Sequence, residues 1–174
     1  MEGFSLKLVL RIEAPEDGEG QPDNPEPASA LEESEWRALE PVLEEELLKL
    51  YPDAARYDLA EISVSLVTPE EIRFLNRDYR ECDEATDVLS FPLCEEEGRF
   101  VPDPAAPVLS LGDVVICPEE TARLHPDLPE KEGLCLMLAH SFLHLLAWDH
   151  DTEERQSVRW ARQDALKARR MEAL

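Results

Sequence analysis

Apolar and polar positions alternate from Phe4 to Ile12, the period-two signature of a half-buried strand at a sheet edge. From Ser34 to Leu50 the period changes. Trp36, Leu39, Leu43, Leu47 and Leu50 recur at intervals of three and four, which places them on one face of a helix. Glu61 to Val67 returns to period two and reads as a second strand. Thr68-Pro69-Glu70-Glu71 then combines an N-cap threonine, a proline at the first helical position and a glutamate three residues after the cap. That is a full capping box, and it opens a helix with Ile72, Leu75 and Tyr79 on its apolar face. Arg73, Arg77 and Arg80 line up on another face at i, i+4 and i+7. Asp87 to Leu93 and Leu109 to Ile116 read as two further strands, joined by a proline-rich loop and close enough to pair as a hairpin-like unit. Helical patterns fill Glu130 to Ala147 and Asp151 to Met171, and no internal repeat is visible. The expected fold class is α/β with α+β character: a small mixed sheet of about four strands with helices packed on it.

Size and composition narrow this picture. A chain of 174 residues with 43% hydrophobic content supports one well-buried core, so residues 1–174 read as a single domain. Residues 13–35 interrupt it with nine acids, no base and four prolines, the composition of an acidic, solvated loop. The net charge of −23 opposes non-specific binding to nucleic acid, so RNA should bind weakly unless local arginines or a partner overcome the repulsion. The longest apolar run, Leu134 to Trp148, is shorter than the roughly 20 residues that span a bilayer and contains two histidines. It reads as a buried core helix, and no membrane association is expected. The first residues show no signal peptide, which makes a cytoplasmic location the default. Cys82, Cys94, Cys117 and Cys135 form no C-x-x-C pair, which fits free thiols better than a disulfide framework or a cysteine-ligated zinc site.

Candidate chemistry concentrates in one window. His140-Ser141-Phe142-Leu143-His144-Leu145-Leu146-Ala147-Trp148-Asp149-His150 holds three of the four histidines. Histidines at i and i+4 lie on one helix face about 6 Å apart at Cβ, so both imidazoles can converge on one ion. A third ligand requires the chain to turn first, and His150 follows near a polar break. Burying several imidazoles without a shared partner costs stability, so a metal is the expected occupant. Three histidines suit one zinc ion, with nickel, cobalt or copper open as alternatives, and leave a position for water. The spacing equals that of the metzincin peptidases, whose general base is the glutamate after the first histidine. Here that residue is Ser141, which cannot act as a base at neutral pH and counts against peptidase activity.

The run from His140 to His150 resembles the H-G-x-L-H-L-x-G-Y-D-H signature of the YbeY family, metal-dependent endoribonucleases of bacterial ribosomal RNA maturation. Leu75-Asn76 with Tyr79-Arg80 resembles the family's L-N-x-x-Y-R. Thr86-Asp87-Val88-Leu89-Ser90-Phe91 resembles T-D-V-L-S-F, and Leu111-Gly112-Asp113-Val114-Val115-Ile116 resembles L-G-D-I-x-I. With the strand from Glu61 to Val67, these motifs keep the family's order across about residues 59 to 155. The resemblance implies zinc held by His140, His144 and His150, and Arg80 as a cation that matters for RNA cleavage. It implies single-stranded RNA as substrate, rRNA maturation and ribosome quality control as setting, and the ribosome or its proteins as partners. The competing readings are a non-catalytic ribosome-associated factor stapled by zinc and a metal-dependent hydrolase of another class. The oligomeric state is not readable.

Three positions depart from the family pattern: Ser141 and Ala147 replace glycines, and Trp148 replaces tyrosine. If Ala147 needs a positive φ, it costs about 1 kcal/mol there. Arg80 is the expected partner of the phosphoryl oxygens, with Arg73 and Arg77 either guiding the strand or lying on a solvated face. Asp149 reads as an imidazole partner or a helix cap. Arg155, Arg159, Arg162, Arg169 and Arg170 form a stripe open to RNA contact or to simple interaction with the helix dipole. His125 reads as a loop residue.

Overall fold

The computed structural model describes residues 6–13 and 31–147. His150, Trp148, Asp149, the arginine stripe, the expected last helix and most of the acidic loop lie outside the described residues. A four-stranded sheet is built from β1 (Lys7–Glu13), β2 (Leu59–Leu66), β3 (Val88–Pro92) and β6 (Leu109–Ile116). Its order is β1-β2-β6-β3. The first three strands are parallel and β3 runs antiparallel to β6. The fold class is therefore α/β with a mixed sheet, and the first strand is an edge strand. The hairpin-like unit forms as well, although its connection carries a small ribbon of β4 (Glu95–Glu96) and β5 (Arg99–Phe100). That ribbon turns through Glu97 and Gly98, both at positive φ, which the right-handed strand twist favours in a two-residue turn.

Helix α1 (Glu33–Leu50) begins inside the stretch read as acidic loop. Its first turn uses those acids: Glu32 and Glu35 form a capping box, and Glu33 and Glu35 meet the positive end of the helix dipole. Trp36, Leu39, Leu43 and Leu47 are buried, as their spacing requires. The opposite face of α1 closes the free edge of β1. Glu44 accepts a hydrogen bond from the Leu8 amide (3.0 Å), Glu40 accepts one from the Leu10 amide (2.7 Å), and Arg37 donates to the Leu10 carbonyl (2.7 Å).

Helix α2 (Pro69–Arg80) has the expected capping box, with Thr68 accepting from the Glu71 amide and the Glu71 side chain accepting from the Thr68 amide. Two short elements were not anticipated: a 3-10 turn at Pro52–Arg56 and α3 (Pro118–Leu124). Helix α4 (Glu130–Leu145) is apolar nearly all round, as a core helix must be. Its buried residues, including Leu138, Phe142 and Leu145, share one cluster with α1 and with Leu8, Leu10, Ile62, Val64 and Val114 of the sheet. Ile72 of α2 packs in a second cluster with Leu89, Val115 and Cys117. Side chains alternate across a strand, so α2 and α4 lie on opposite faces of the sheet with β3 between them.

Gly112 permits the close approach in this region. The β2/β6 register shifts beside it, its φ is +145°, and a Cβ there would stand 2.4 Å from the Phe91 carbonyl oxygen and 2.8 Å from Leu145 Cδ2. Only glycine fits, and β3, β6 and α4 meet at that point. All four cysteines are free. Burial pushes the Cys94 and Cys117 thiols up, which keeps both protonated.

Candidate metal and RNA site

A cleft of about 390 Å³ opens along the exposed edge of β3. All five residues of that strand line it, joined by Tyr79 and Arg80 of α2, Glu95 and Gly98 of the ribbon, and His140, His144 and Ala147. The polar stripe of α4 supplies the histidines. His140 and His144 are half-buried while the intervening Ser141, Phe142 and Leu143 are buried. An otherwise apolar helix thus turns its two imidazoles toward the cleft and its hydrocarbon toward the core.

The two imidazoles converge. His140 Nε2 and His144 Nε2 are 3.0 Å apart, with ring centroids at 4.6 Å and planes at 68°. Tetrahedral zinc with nitrogen ligands at about 2.0–2.1 Å holds those nitrogens about 3.4 Å apart. The pair therefore needs only a few tenths of an ångström of opening to share one ion, and the nitrogen donor set suits zinc. Among the described residues no group of three His, Cys, Asp or Glu side chains completes a metal site. The third expected ligand, His150, lies outside the described residues, three positions beyond Ala147.

Ala147 has φ +59°, and its amide donates to the His144 carbonyl (2.9 Å). The chain leaves α4 through a left-handed residue, the conformation for which glycine is the usual choice. The expectation attached to the missing glycine is met. Ser141 is fully buried, and its Oγ has no hydrogen-bond partner among the described residues. A hydroxyl enclosed in the core cannot reach a substrate, which strengthens the objection to a peptidase base.

The three arginines separate. Arg73 forms a two-pronged pair with Asp83 (2.9 and 3.2 Å), and Arg77 lies over the Phe74 ring and near Asp78. Both belong to the solvated face. Arg80 lines the cleft, and among the described residues no ion pair engages it. Asn76 is buried and Tyr79 exposed, the reverse of what their polarity suggests. Asn76 is buried, its carbonyl receives the Glu81 and Cys82 amides, and its side-chain amide donates to the Glu84 carbonyl (2.9 Å). Those bonds fix the end of α2 and hence Arg80. Tyr79, expected on the apolar face, is 67% exposed at the cleft. The ordered L-N-x-x-Y-R motif was the available signal for both.

His125 is more than a loop residue. It caps the end of α3, and its Nε2 lies 3.1 Å from Asp87 Oδ2. Asp87 Oδ1 receives the Val88 amide (2.9 Å), and the Asp87 carbonyl receives the Cys117 amide (2.8 Å). Asp87 thereby ties the first cleft-lining residue of β3 to the start of α3.

The profile of the family described as Endoribonuclease YbeY matches residues 27–169. An Endoribonuclease YbeY from Caldanaerobacter subterraneus subsp. tengcongensis is 41% identical over 138 residues, which cover 75% of this chain and 82% of that protein. One from Geobacillus kaustophilus is 44% identical over 119 residues, covering 64% and 74%. A solution structure of a Thermotoga maritima protein superposes with a TM-score of 0.51 at 27% identity, covering 91% of this chain and 87% of that one.

Proposed function

The chain belongs to the YbeY endoribonuclease family, and from that premise we propose that it is a zinc-dependent endoribonuclease cutting single-stranded RNA. The observation that supports the metal dependence is the convergence of two Nε2 atoms at 3.0 Å inside a cleft that Arg80 also lines. The proposed ligands are His140, His144 and His150, for one ion. A zinc ion held there would supply Lewis acidity toward a phosphoryl oxygen and would lower the pKa of water at the site. The rest of the chemistry belongs to the chain. Arg80 presents a planar guanidinium whose paired N–H donors match two non-bridging phosphoryl oxygens and offset the charge that accumulates on them during cleavage. Asn76 positions that side chain by anchoring the helix end. The apolar core behind His140 and His144 holds the imidazoles in place before substrate arrives, so little reorganisation accompanies reaction.

The family resemblance supports rRNA maturation and ribosome quality control as the setting, with the ribosome or its proteins as partners and a cytoplasmic location. Among the described residues no helix is long and apolar enough to cross a membrane. A net charge of −23 makes free RNA a poor non-specific ligand, so affinity must be generated inside the cleft or by a partner.

Two variants test the reading. His144→Ala should lose both bound zinc, measured by elemental analysis, and cleavage of a single-stranded RNA. Arg80→Glu should retain zinc and lose cleavage. Full nuclease activity in a metal-free preparation would overturn the proposal.

A further inference from the structure

The cleft contains an aromatic pair that the metal and the arginine do not explain. Tyr79 and Phe91 meet at a centroid distance of 5.1 Å with their planes at 67°. They come from different elements, α2 and β3, and both line the cleft that holds His140, His144 and Arg80. Phe91 is half-buried against the second core cluster. Tyr79 contributes little to that core, since 67% of it is exposed. An exposed ring held by an edge-to-face contact keeps its orientation without being covered, which is what a stacking platform requires.

The geometry points to Tyr79 as a base-stacking residue: it receives one unpaired nucleobase of the RNA whose phosphate Arg80 contacts. This rests on the reading of the cleft as an RNA site and adds a source of strand selectivity to it. Tyr79 and Arg80 are adjacent on the last turn of α2, so a ring and a cation enter the cleft side by side, matching a base and its neighbouring phosphate. A base within a duplex has both faces covered by its neighbours and cannot offer one to the ring. Stacking also supplies affinity that does not depend on net positive charge, which a chain of net charge −23 needs.

The test uses the zinc-loaded protein with three probes. They are a single-stranded RNA oligonucleotide, copies bearing one abasic ribose at successive positions around the cut, and the same strand annealed to its complement. Stacking of one base is expected to be worth about tenfold in affinity. Tyr79→Leu should raise KM for the single strand by about that factor, leave kcat within about twofold and reduce the preference over duplex. Tyr79→Phe keeps the ring and should restore the KM. At one position, removing the base should cost the wild type about tenfold and cost Tyr79→Leu nothing. Thermal unfolding of both variants checks that the exposed site tolerates the change. Stacking is overturned if Tyr79→Leu retains the wild-type KM, if Tyr79→Phe fails together with Tyr79→Leu, or if the base-removal and side-chain losses simply add. A metal-loaded wild type that cleaves no RNA overturns the reading of the cleft itself, which separates the two failures.

Discussion

Replacing Ala147 by glycine should stabilise the protein. Ala147 holds φ +59° at the end of α4, where its Cβ crowds the neighbouring carbonyl. A left-handed L-residue costs about 1–2 kcal/mol, and glycine adopts the same angle without that cost. Against the gain stands the greater freedom of glycine in the unfolded chain, about 0.4–1 kcal/mol. The net expectation is a gain of about 0.5–1 kcal/mol, which in a domain of this size raises Tm by about 1–4 °C. The assay is thermal unfolding followed by circular dichroism, once in chelator and once with zinc. Because the strain resides in one residue's backbone, the gain should be similar under both conditions. An unchanged or lowered Tm, or a gain confined to the zinc-loaded protein, would refute the argument from local strain.

Ser141→Ala removes a fully buried hydroxyl that has no partner among the described residues, and should stabilise by about 1 kcal/mol with cleavage retained; a lower urea midpoint would show that the hydroxyl finds a partner in solution. Gly112→Ala forces a Cβ to within 2.4 Å of a backbone oxygen at a positive φ, and should cost about 3 kcal/mol or more in denaturant unfolding. Near wild-type stability for that variant would mean that β3 can move away from β6. Hydrogen bonds from Arg11 and Ser110 hold the Glu61 carboxyl below its ordinary value of 4.5. Its folded pKa is therefore below the unfolded one, so its contribution is full above about pH 5 and fades as pH falls through the folded value. Glu61→Gln should lie slightly below the wild type at pH 7, by less than about 1 kcal/mol, and converge with it as pH falls below the folded value. Parallel stability curves across that range would contradict the assignment.

The parts legible in the sequence were those governed by interactions close in the chain. The Thr68 capping box, the heptad-like face of α1 and the i, i+4 histidines each depend on spacings of three or four residues, and each is present. The left-handed residue at Ala147 was legible because the family places glycine there. What escaped was set by partners distant in sequence. Arg73 turns to Asp83 ten residues away, and His125 reaches Asp87 across 38. Tyr79 looked like core by periodicity, yet the buried position one turn earlier went to Asn76, whose amide serves the loop that follows. The ribbon at Glu95–Phe100 has two-residue strands, too short to establish an alternation. The acids of 32–35 read as loop by composition, whereas their effect as an N-terminal cap depends on the helix behind them.

The two borders of the sheet are treated in opposite ways. Along β1, the carboxylates of Glu40 and Glu44 and the guanidinium of Arg37 occupy outward-facing amides and a carbonyl that would otherwise template another strand. Along β3, the border is the wall of the cleft. Growth of the sheet, whether by self-association or by capture of an extended peptide, is thus blocked on the side remote from the histidines. Among the described residues, the border open to a ligand in extended conformation is the one beside them. Neutralising Glu40 and Glu44 together would remove that asymmetry, and the molecule would be expected to associate edge to edge before it lost its fold.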